Sequence, residues 1–399
     1  MNTWLGTPGV VCALGSGMDA VAQAAFAGDT SGMRARTGWV HGRALTLGGY
    51  AGALPAIADS LPAHHHSRNN QLLLAAALQI EPQLRGAIAR HGPSRVAVVL
   101  GTSTSGINDN APAFRHLAAQ DCWPDSYDYR RQALSSPSAF FADWLGARGP
   151  AYTLSTACTS SARALLSARR LLELNLCDAV VCGGADTLCR LTINGFATLE
   201  AIDDTLCLPF SANRRGINIG EAGVLFLMER EPADTRSVAF LGGGASSDAW
   251  HMSAPEPTGA GARQAMLAAL ESAGVGPGQI GWVNLHGTGT RHNDAMESHA
   301  MHAVFPQGVP CASTKALTGH ALGAAGALEA ALAWATLSSG NASGRLMPHV
   351  WDGEPDPELP ALEFVTAAHR YAQGRPRVAM SNSFAFGGNN VSLVFGAQP

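Results

Sequence analysis

Short apolar runs alternate with alanine-rich stretches along most of this chain. The runs contain many Val, Ile and Leu residues and few polar ones, a pattern typical of strands that are buried on both faces in an α/β protein. The predicted strands are Arg95–Leu100, Ala151–Leu154, Asp178–Cys182, Gly223–Met228, Gly281–Leu285, Arg377–Met380 and Asn390–Phe395. The predicted helices between them are Asn70–Ile80, Thr159–Leu174, Ala260–Ala273 and Gly323–Leu337.

The same succession of strand, small-residue loop and helix occurs twice. In the first half the loop is Ser155-Thr156-Ala157-Cys158-Thr159-Ser160-Ser161, and in the second half it runs from Thr318 to Gly326. A charged turn at Pro232-Ala233-Asp234 lies between the two. We therefore expect two α/β halves, residues 1–232 with Cys158 and residues 233–399 with His286, Lys315 and His320, whose helix N-termini meet at one cleft.

The composition is that of a globular protein with a large core. Of its 399 residues, 46% are hydrophobic and 14% are charged. A net charge of −4 without Lys/Arg runs argues against nucleic-acid binding. No apolar run reaches the roughly 18 residues of a membrane span, and the N-terminus lacks a secretory signal, so we expect a cytoplasmic protein. Eight cysteines without a Cys-x-x-Cys pair indicate reduced thiols rather than disulfides or a zinc site.

Cys158 is the first candidate for chemistry, because it lies between a predicted strand and the start of a predicted helix. The partial positive charge and free N–H groups of a helix N-terminus favour the reactive thiolate over the thiol. A buried, inert cysteine is the alternative interpretation of this segment alone.

Two histidines in the second half have glycine neighbours. His286 lies in Asn284-Leu285-His286-Gly287-Thr288-Gly289-Thr290, where a strand enters a glycine-rich turn, and His320 lies in Lys315-Ala316-Leu317-Thr318-Gly319-His320. Either histidine alone fits a structural role. Together with Cys158 they form a candidate Cys-His-His site, in which neutral imidazoles donate hydrogen bonds while a thiolate attacks.

The ordered motifs of this chain resemble those of the β-ketoacyl-ACP synthases, the elongating condensing enzymes of fatty-acid and polyketide synthesis. The resemblance rests on five segments spread over nearly the whole chain: Thr156-Ala157-Cys158-Thr159-Ser160-Ser161, Pro209-Phe210-Ser211 through Gly220-Glu221, His286-Gly287-Thr288-Gly289-Thr290, Lys315 through His320, and Asn382-Ser383-Phe384-Ala385-Phe386-Gly387-Gly388. It implies a thiolase-type fold, in which two similar α/β halves build a five-layered αβαβα structure, usually as a dimer with an acyl tunnel.

The resemblance also implies a mechanism, an acyl transfer without cofactor or metal. Cys158 takes an acyl group from acyl carrier protein (ACP). His286 and His320 then hydrogen-bond the thioester carbonyl of malonyl-ACP and stabilise the enolate that forms as carbon dioxide leaves. The enolate attacks the acyl-Cys158 carbonyl, and the backbone N–H groups of Cys158 and Phe386 hold the oxyanion.

Four further charged residues match the family's pattern. Lys315 and Glu329 resemble its buried lysine and acidic partner, for which we expect a supporting ion pair, with direct proton transfer by Lys315 as the alternative. Asp294 and Glu297 follow His286 at the family's acidic spacing. They are either charges favoured by a helix N-terminus or groups that shape the site or hold a cation.

The chain departs from the family at a few positions. Ala385 stands where the family usually has Gly, and its Cβ is expected to restrict the gating motion of the Phe386 loop. Asn389 replaces a usual Thr, and Asn293 replaces the glycine before Asp294.

Several other functions remain open at this point. Within the fold, a thiolase would use a second cysteine and an initiating synthase an asparagine in place of the second histidine, so the two histidines favour decarboxylative elongation. The chain could also be the catalytic half of a heterodimer with a chain-length-factor-like partner, serving polyketide or polyene assembly. A non-catalytic chain-length-factor-like subunit is disfavoured by Cys158, because such subunits lack the active cysteine.

The expected partners are acyl carrier protein and a second ketosynthase-like subunit, identical or not. Carrier proteins are acidic, which predicts a local basic patch on this chain. The candidate residues are Arg68, Arg130, Arg131, Arg214 and Arg215.

Overall fold

The computed structural model describes residues 3–398. The strands are β1 (Thr3–Leu5), β2 (Gly9–Cys12), β3 (Gly15–Ser16), β4 (Met33–Val40), β5 (Arg43–Gly48), β6 (Val96–Gly101), β7 (Ala151–Leu154), β8 (Ala179–Asp186), β9 (Ala222–Glu229), β10 (Val238–Ser247), β11 (Trp282–Asn284), β12 (Pro310–Ala312), β13 (Glu363–Phe364), β14 (Val378–Ala385) and β15 (Asn389–Gly396). The helices are α1 (Met18–Ala27), α2 (Arg68–Gln79), α3 (Glu81–His91), α4 (Ala111–Gln120), α5 (Ser136–Leu145), α6 (Ser160–Glu173), α7 (Arg190–Thr198), α8 (Ala260–Ala273), α9 (Arg291–Val304), α10 (Lys315–Thr318) and α11 (Ala325–Leu337).

Apart from β4 and β5, which pair as a separate two-stranded sheet, the strands form two mixed sheet regions that the short strand β1 connects. In the first region β7, β6 and β8 are parallel and β9 pairs with β8 in the antiparallel direction. In the second, β12, β11 and β14 are parallel and β15 and β10 follow antiparallel. β1 pairs with β9 on one side and with β10 on the other, so the sheet is continuous from β13 to β7.

Helices cover both faces of each sheet region. α6 and α11 pack against each other in the middle and contact strands of both regions. α2 covers the outer face of the first region at β2 and β9, and α8 covers the outer face of the second at β10 and β15. These are five layers of alternating helix and sheet, so the α/β prediction and the αβαβα arrangement are confirmed.

The central helix α11 has no exposed residue, and its composition explains how it fits. All 13 of its residues are buried, and six of them are alanine. A Cβ on Gly326 would lie 2.8 Å from the backbone nitrogen of Ala162 in α6, closer than a real Cβ contact. Small side chains therefore allow α6 and α11 to pack in close contact between two sheets.

The predicted elements are present with shifts of a few residues at their ends. α8 and β7 have the predicted bounds, and α6 begins at Ser160 instead of Thr159. The helix predicted from Gly323 begins at Ala325, because Leu322–Ala324 form a 3₁₀ turn in which Leu322 has a left-handed φ of 49°. Of the helices in residues 3–398, none is long and apolar enough to cross a bilayer.

Candidate active site

Cys158 lies in a sharp turn between the end of β7 and the start of α6. The preceding residue, Ala157, has a left-handed φ of 53°, a conformation that costs a residue with a Cβ roughly 1–2 kcal/mol. Ser160 stabilises the turn, because its hydroxyl donates to the Ala157 carbonyl at 2.6 Å and accepts the Thr156 N–H at 2.9 Å. The turn places the Cys158 thiol beside the N-terminus of α6, as the sequence predicts.

The structure brings the two predicted histidines to this thiol. His320 Nε2 lies 2.9 Å from Cys158 Sγ, and the His286 and His320 rings meet edge to face with centroids 5.2 Å apart. One ligand-type atom from each of the three side chains lies within 4.8 Å of the others. All three residues are at most 6% exposed. The Cys-His-His grouping is therefore one compact, buried cluster.

Both imidazoles are neutral in this environment. Burial lowers the pKa of His286 and of His320 well below 6.5, and the nearby Lys315 ammonium lowers each further. Nδ1 of each ring is buried and contacts no polar partner among residues 3–398. A buried N–H without an acceptor is costly, so the single proton of the His286 ring is favoured on Nε2, toward the cleft. His320 Nε2 faces the Cys158 thiol, and it accepts a proton from that thiol only in the tautomer whose own proton is on Nδ1.

The Cys158 thiol is not activated by the helix terminus alone. Burial raises its pKa to about 12, although Lys315 and the hydrogen bond from the Phe386 N–H both lower it. The expectation that the helix terminus favours a resting thiolate was wrong, because desolvation in the buried site outweighs a partial charge. Loss of the thiol proton must accompany attack, and His320 Nε2 is the group within reach.

Lys315 lies below the two histidines at the start of α10. Its Nζ donates to the His286 carbonyl oxygen at 2.7 Å and forms an ion pair with Glu329 of α11. Both side chains are buried, and burial raises the pKa of Glu329 to about 7, with Lys315 opposing that shift. The Lys315 ammonium holds the His286 carbonyl in place by a hydrogen bond. Glu329 neutralises its charge inside the protein.

Asp294 and Glu297 of α9 hold the backbone around His286. Glu297 accepts the N–H groups of His286 at 2.8 Å and Gly287 at 2.7 Å, and Asp294 accepts those of Phe210 at 2.7 Å and Gly289 at 3.2 Å. Burial raises the pKa of Asp294 to about 6 and that of Glu297 to about 7. Of the two sequence interpretations, this geometry matches shaping of the site.

The Phe386 loop joins β14 to β15 above the thiol. The Phe386 N–H donates to the Cys158 sulfur, and its ring packs against Phe196 with centroids 5.3 Å apart. Ala385 has a φ of −109°, which any residue adopts, whereas Gly387 and Gly388 have left-handed φ values of 79° and 74°. The Cβ of Ala385 is therefore accommodated without backbone strain, and the conformation depends on the two glycines that follow.

A cavity of about 260 Å³ opens on the outer side of this loop. Its lining includes Phe384, Ala385, Phe386, His292, Asn293, Met296 and Leu199. Cys158, His286 and His320 are not part of its lining, and Phe386 is the lining residue that contacts the thiol. Asn293, which replaces the family's glycine, is in its wall.

The five arginines proposed for carrier docking differ in availability. Arg214 is 5% exposed and pairs with Asp356 at 2.5 Å, so its assignment to a docking patch was wrong. Arg68 forms an ion pair with the buried Glu221, and Arg130 pairs with Asp128. Arg131 donates to Asn110, and Arg215 is largely exposed. Composition favours arginines for docking but does not distinguish those that hold loops together.

Sequence reasoning missed two groups that support the site. His349 accepts the Ser313 N–H at 3.1 Å and faces the Pro209 carbonyl, while the Ser313 hydroxyl donates to the Gly287 carbonyl at 2.6 Å. Asp186, at the end of β8, accepts donors from both halves of the chain. The sequence signal for Asp186 is an acidic residue directly after the buried Gly183-Gly184-Ala185.

The cluster of Cys158, His286 and His320 is also a set of metal-ligand types. A thiolate and two imidazoles with an open fourth position fit Zn²⁺. The resemblance implies no metal, and the same three groups suffice for nucleophilic chemistry.

Family models match most of the chain. The model for the N-terminal domain of β-ketoacyl synthases matches residues 63–233, and that for the C-terminal domain matches residues 238–345. A 3-oxoacyl-[acyl-carrier-protein] synthase I from the chloroplast of Hordeum vulgare is 33% identical over 316 residues, which are 75% of this chain and 67% of that protein.

Solved structures resemble the whole chain. A chain in the structure of a ketosynthase in complex with its chain length factor from Xenorhabdus doucetiae is 47% identical, with a TM-score of 0.92, covering 100% of this chain and 98% of that one. A β-ketoacyl synthase from Burkholderia phymatum is 26% identical with a TM-score of 0.88, covering 100% of both chains.

The fold and the buried Cys-His-His cluster define a condensing enzyme of the thiolase superfamily. The chain belongs to the β-ketoacyl synthase family.

Proposed function

We propose that Cys158 is the acyl-carrying nucleophile of this synthase and that His286 and His320 catalyse decarboxylation of the extender. The overall reaction is the condensation of an acyl-ACP with malonyl-ACP to a 3-oxoacyl-ACP, in fatty-acid or polyketide chain elongation, so the chain is an acyltransferase. The observation that carries the residue assignment is the 2.9 Å contact between His320 Nε2 and Cys158 Sγ inside a buried cluster.

In the first step the Cys158 sulfur attacks the thioester carbonyl of acyl-ACP. His320 begins this step with its proton on Nδ1, so Nε2 accepts the thiol proton as the carbon–sulfur bond forms and passes it to the carrier thiolate when the old thioester bond breaks. The remaining proton of the neutral ring then shifts to Nε2, because the acylated sulfur no longer offers a proton and Nδ1 has no acceptor. The developing oxyanion accepts hydrogen bonds from the backbone N–H groups of Cys158 and Phe386. The Phe386 N–H already points at the sulfur, so this donor is in place before substrate arrives.

In the second step malonyl-ACP binds with its thioester carbonyl between His286 and His320. The Nε2–H group of each neutral ring donates to that oxygen, and carbon dioxide leaves as the carbon–carbon bond of the malonyl group breaks. The electron pair remains as an enolate, whose carbon attacks the acyl-Cys158 carbonyl and expels the thiolate. Neutral donors fit this step, because an imidazolium would protonate the enolate before its carbon attacks the acyl-Cys158 carbonyl.

The supporting residues act through the backbone of the site. Lys315, with Glu329 as its counter-ion, holds the His286 carbonyl, and Glu297 holds the His286 N–H. Asp294 ties the Gly289 turn to the Phe210 segment. These residues fix the direction of His286 and are positioning groups in the proposed mechanism.

As the assembly state we propose a heterodimer with a chain-length-factor-like partner. The support is the 47% identity over the full chain to a component of a ketosynthase and chain-length-factor complex. Presence of Cys158 with both histidines assigns this chain the catalytic role in such a pair. The chain would also bind acyl carrier protein, as its reaction requires.

We also propose that residues 1–232 and 233–399 are the two halves of the fold, and that the protein works in the cytoplasm. The boundary falls within one residue of the end of the first family match, at residue 233, and before the second match begins at residue 238. The eight cysteines are all free thiols, as expected in a reducing compartment.

The assignment of Cys158 is tested by mass spectrometry of the protein after incubation with acyl-ACP, alone and with a candidate partner subunit. An acyl adduct should form on Cys158 and disappear in Cys158→Ala. The matched control is Cys122→Ser, because Cys122 is the exposed cysteine of the chain and its loss should leave the adduct unchanged. An adduct on another residue, or none with either preparation, contradicts the proposal.

A further inference from the structure

Asp186 is a buried carboxylate that the reaction does not use directly. It is the last residue of β8 and has no exposed surface. Its two oxygens accept hydrogen bonds from six donors on four residues, Thr102, Ser103, Thr104 and Gly323, at 2.6–2.9 Å. Three of these donors are backbone N–H groups and three are hydroxyl groups, so neutral dipoles stabilise the charge of Asp186.

The donors come from both halves of the fold. Thr102, Ser103 and Thr104 follow β6, which is the parallel neighbour of β8. Gly323 lies in the 3₁₀ turn between His320 and α11. Asp186 therefore connects the loop after β6 to the turn three residues after His320.

The backbone at Gly323 packs closely against Asp186 and the loop after β6. A Cβ at Gly323 would lie 2.6 Å from Asp186 Oδ2 and 2.7 Å from the Ser103 nitrogen. The neighbouring Leu322 has a left-handed φ of 49°, a strained conformation that surrounding contacts must hold. The N–H of Gly323 donates to Asp186 at 2.6 Å directly beside that residue.

On its other side, the His320 backbone is fixed by the 217–220 segment. The His320 N–H donates to the Asn218 carbonyl at 2.7 Å, and its own carbonyl accepts the Gly220 N–H at 3.0 Å. Asp186 supplies the second anchor, after the histidine. With both anchors in place, His320 Nε2 stays 2.9 Å from Cys158 Sγ.

We infer that Asp186 is a positioning residue that sets the direction of the His320 imidazole for decarboxylation and acyl transfer. This inference rests on the proposed function of His320. Its effect is expected on the rate of the chemical steps, because Asp186 is joined to the His320 segment through Gly323. Its charge also raises the pKa of the Cys158 thiol, and a Cys158→Gln background removes that second effect.

Asp186→Asn tests this, because the amide has nearly the same size but its NH₂ group cannot accept hydrogen bonds. It would face the Ser103 and Gly323 donors with a further donor. Placed in a Cys158→Gln background, the change isolates malonyl-ACP decarboxylation by the two histidines. We expect kcat for decarboxylation to fall roughly tenfold to a hundredfold, with KM changed by less than about threefold.

The matched control is Asp178→Asn. Asp178 directly precedes β8 and pairs with Arg95 and Arg230, so the two carboxylates lie at opposite ends of one strand. Its loss should lower stability without changing kcat. Ser103→Ala is the milder variant if Asp186→Asn does not fold, because it removes one hydroxyl donor and leaves the other five, and it should lower kcat by a few-fold.

The outcomes distinguish a failure of the positioning role of Asp186 from a failure of the proposed roles of His286 and His320. A folded Asp186→Asn protein with unchanged kcat, or with a change in KM alone, would overturn the inference about Asp186. If Cys158→Gln by itself decarboxylates nothing, the assignment of that step to His286 and His320 fails instead. Unchanged kcat in Ser103→Ala, when Asp186→Asn is unfolded, also counts against the positioning role.

Discussion

Of the two histidines in the site, His320 is the one that hydrogen-bonds Cys158, with Nε2 2.9 Å from Sγ, while His286 meets the His320 ring edge to face. The two imidazoles therefore have unequal roles. His320 is placed to handle the thiol proton and the enolate, and His286 is placed to act on the enolate alone. This asymmetry can be measured, because acylation of Cys158 and decarboxylation of malonyl-ACP are separate assays.

His286→Ala should reduce decarboxylation while leaving acylation of Cys158 close to the wild-type rate. His320→Ala should reduce both. The loss of one donor to a developing negative charge costs roughly 10²–10³ in rate. Quenched-flow acylation with mass detection, together with carbon dioxide release, gives the two rates, and equal effects of the two changes on acylation would contradict the asymmetry.

Cys158→Gln should abolish condensation and retain decarboxylation of malonyl-ACP. The amide resembles the acyl thioester in shape, and both histidines remain to stabilise the enolate. Release of labelled carbon dioxide from malonyl-ACP measures the step. Absence of release from a folded variant would remove decarboxylation from the roles of His286 and His320.

Lys315→Met should destabilise the protein by about 3–5 kcal/mol, because it leaves the Glu329 carboxylate buried without its counter-ion. The loss should be larger at pH 8 than at pH 6. Burial already raises the pKa of Glu329 to about 7, and removal of the Lys315 ammonium raises this pKa further. At pH 6 the Glu329 carboxyl is therefore protonated and neutral in the variant, whereas at pH 8 a larger part of the cost of a buried, unpaired charge remains.

Urea denaturation of Lys315→Met at the two pH values measures this difference in the free energy of unfolding. Lys315→Met/Glu329→Gln is the control, since it contains no buried charge at this place. Its stability should exceed that of the single variant at pH 8. A loss in Lys315→Met that is independent of pH speaks against a charged Glu329.

His349 should make the protein less stable as the pH falls from about 6.5 to 4. Burial lowers its pKa from 6.5 to about 4, so in this range the unfolded chain binds a proton that the folded protein does not. The stabilisation is complete above pH 6.5 and is lost through this window, by about 3 kcal/mol from the size of the shift. The free energy of unfolding of His349→Gln should show a shallower pH dependence over the same range, and parallel curves for the two proteins would contradict the assignment.

Ala385→Gly should loosen the Phe386 loop without altering its average path. Ala385 has a φ that any residue adopts, so the glycine adds freedom to the unfolded chain and relieves no strain. A loss of about 0.5–1 kcal/mol in the free energy of unfolding is expected. Amide exchange over residues 384–390 should become faster, and slower exchange would indicate that the Cβ of Ala385 was under strain.

The sequence predicted the centre of the site because its groups lie in short motifs with strict local geometry. A cysteine after a strand and before a helix, and histidines flanked by glycines, are visible without knowledge of any distant contact. β10 was missed because Gly242-Gly243-Gly244 interrupts its apolar pattern, although Gly242 and Gly244 allow α8 to pack against the strand. α9 was missed because its buried face includes polar and charged residues such as Asp294 and Glu297, which interrupt the apolar spacing expected of a helix.

Contacts between distant segments were beyond the reach of pattern analysis. Asp186 accepts hydrogen bonds from residues that are separated from it by 82 to 84 positions and by 137 positions in the sequence, and no local motif indicates such contacts. The same holds for the buried Arg214, whose partner Asp356 is 142 residues further along the chain. The high pKa of Cys158 likewise follows from the depth of the site, whereas the sequence showed only the helix beside it.

The close packing of α6 and α11 ties the reaction to the middle of the protein. Cys158 lies two residues before α6 and His320 lies five residues before α11, so the distance between sulfur and imidazole depends on how near these two helices lie. That spacing is determined by Gly326 against Ala162, with no room for one more methyl group. A larger side chain at Gly326 or Ala162 is expected to increase the distance between the Cys158 thiol and His320 Nε2. The packing of two core helices thus helps to set the distance between Cys158 Sγ and His320 Nε2.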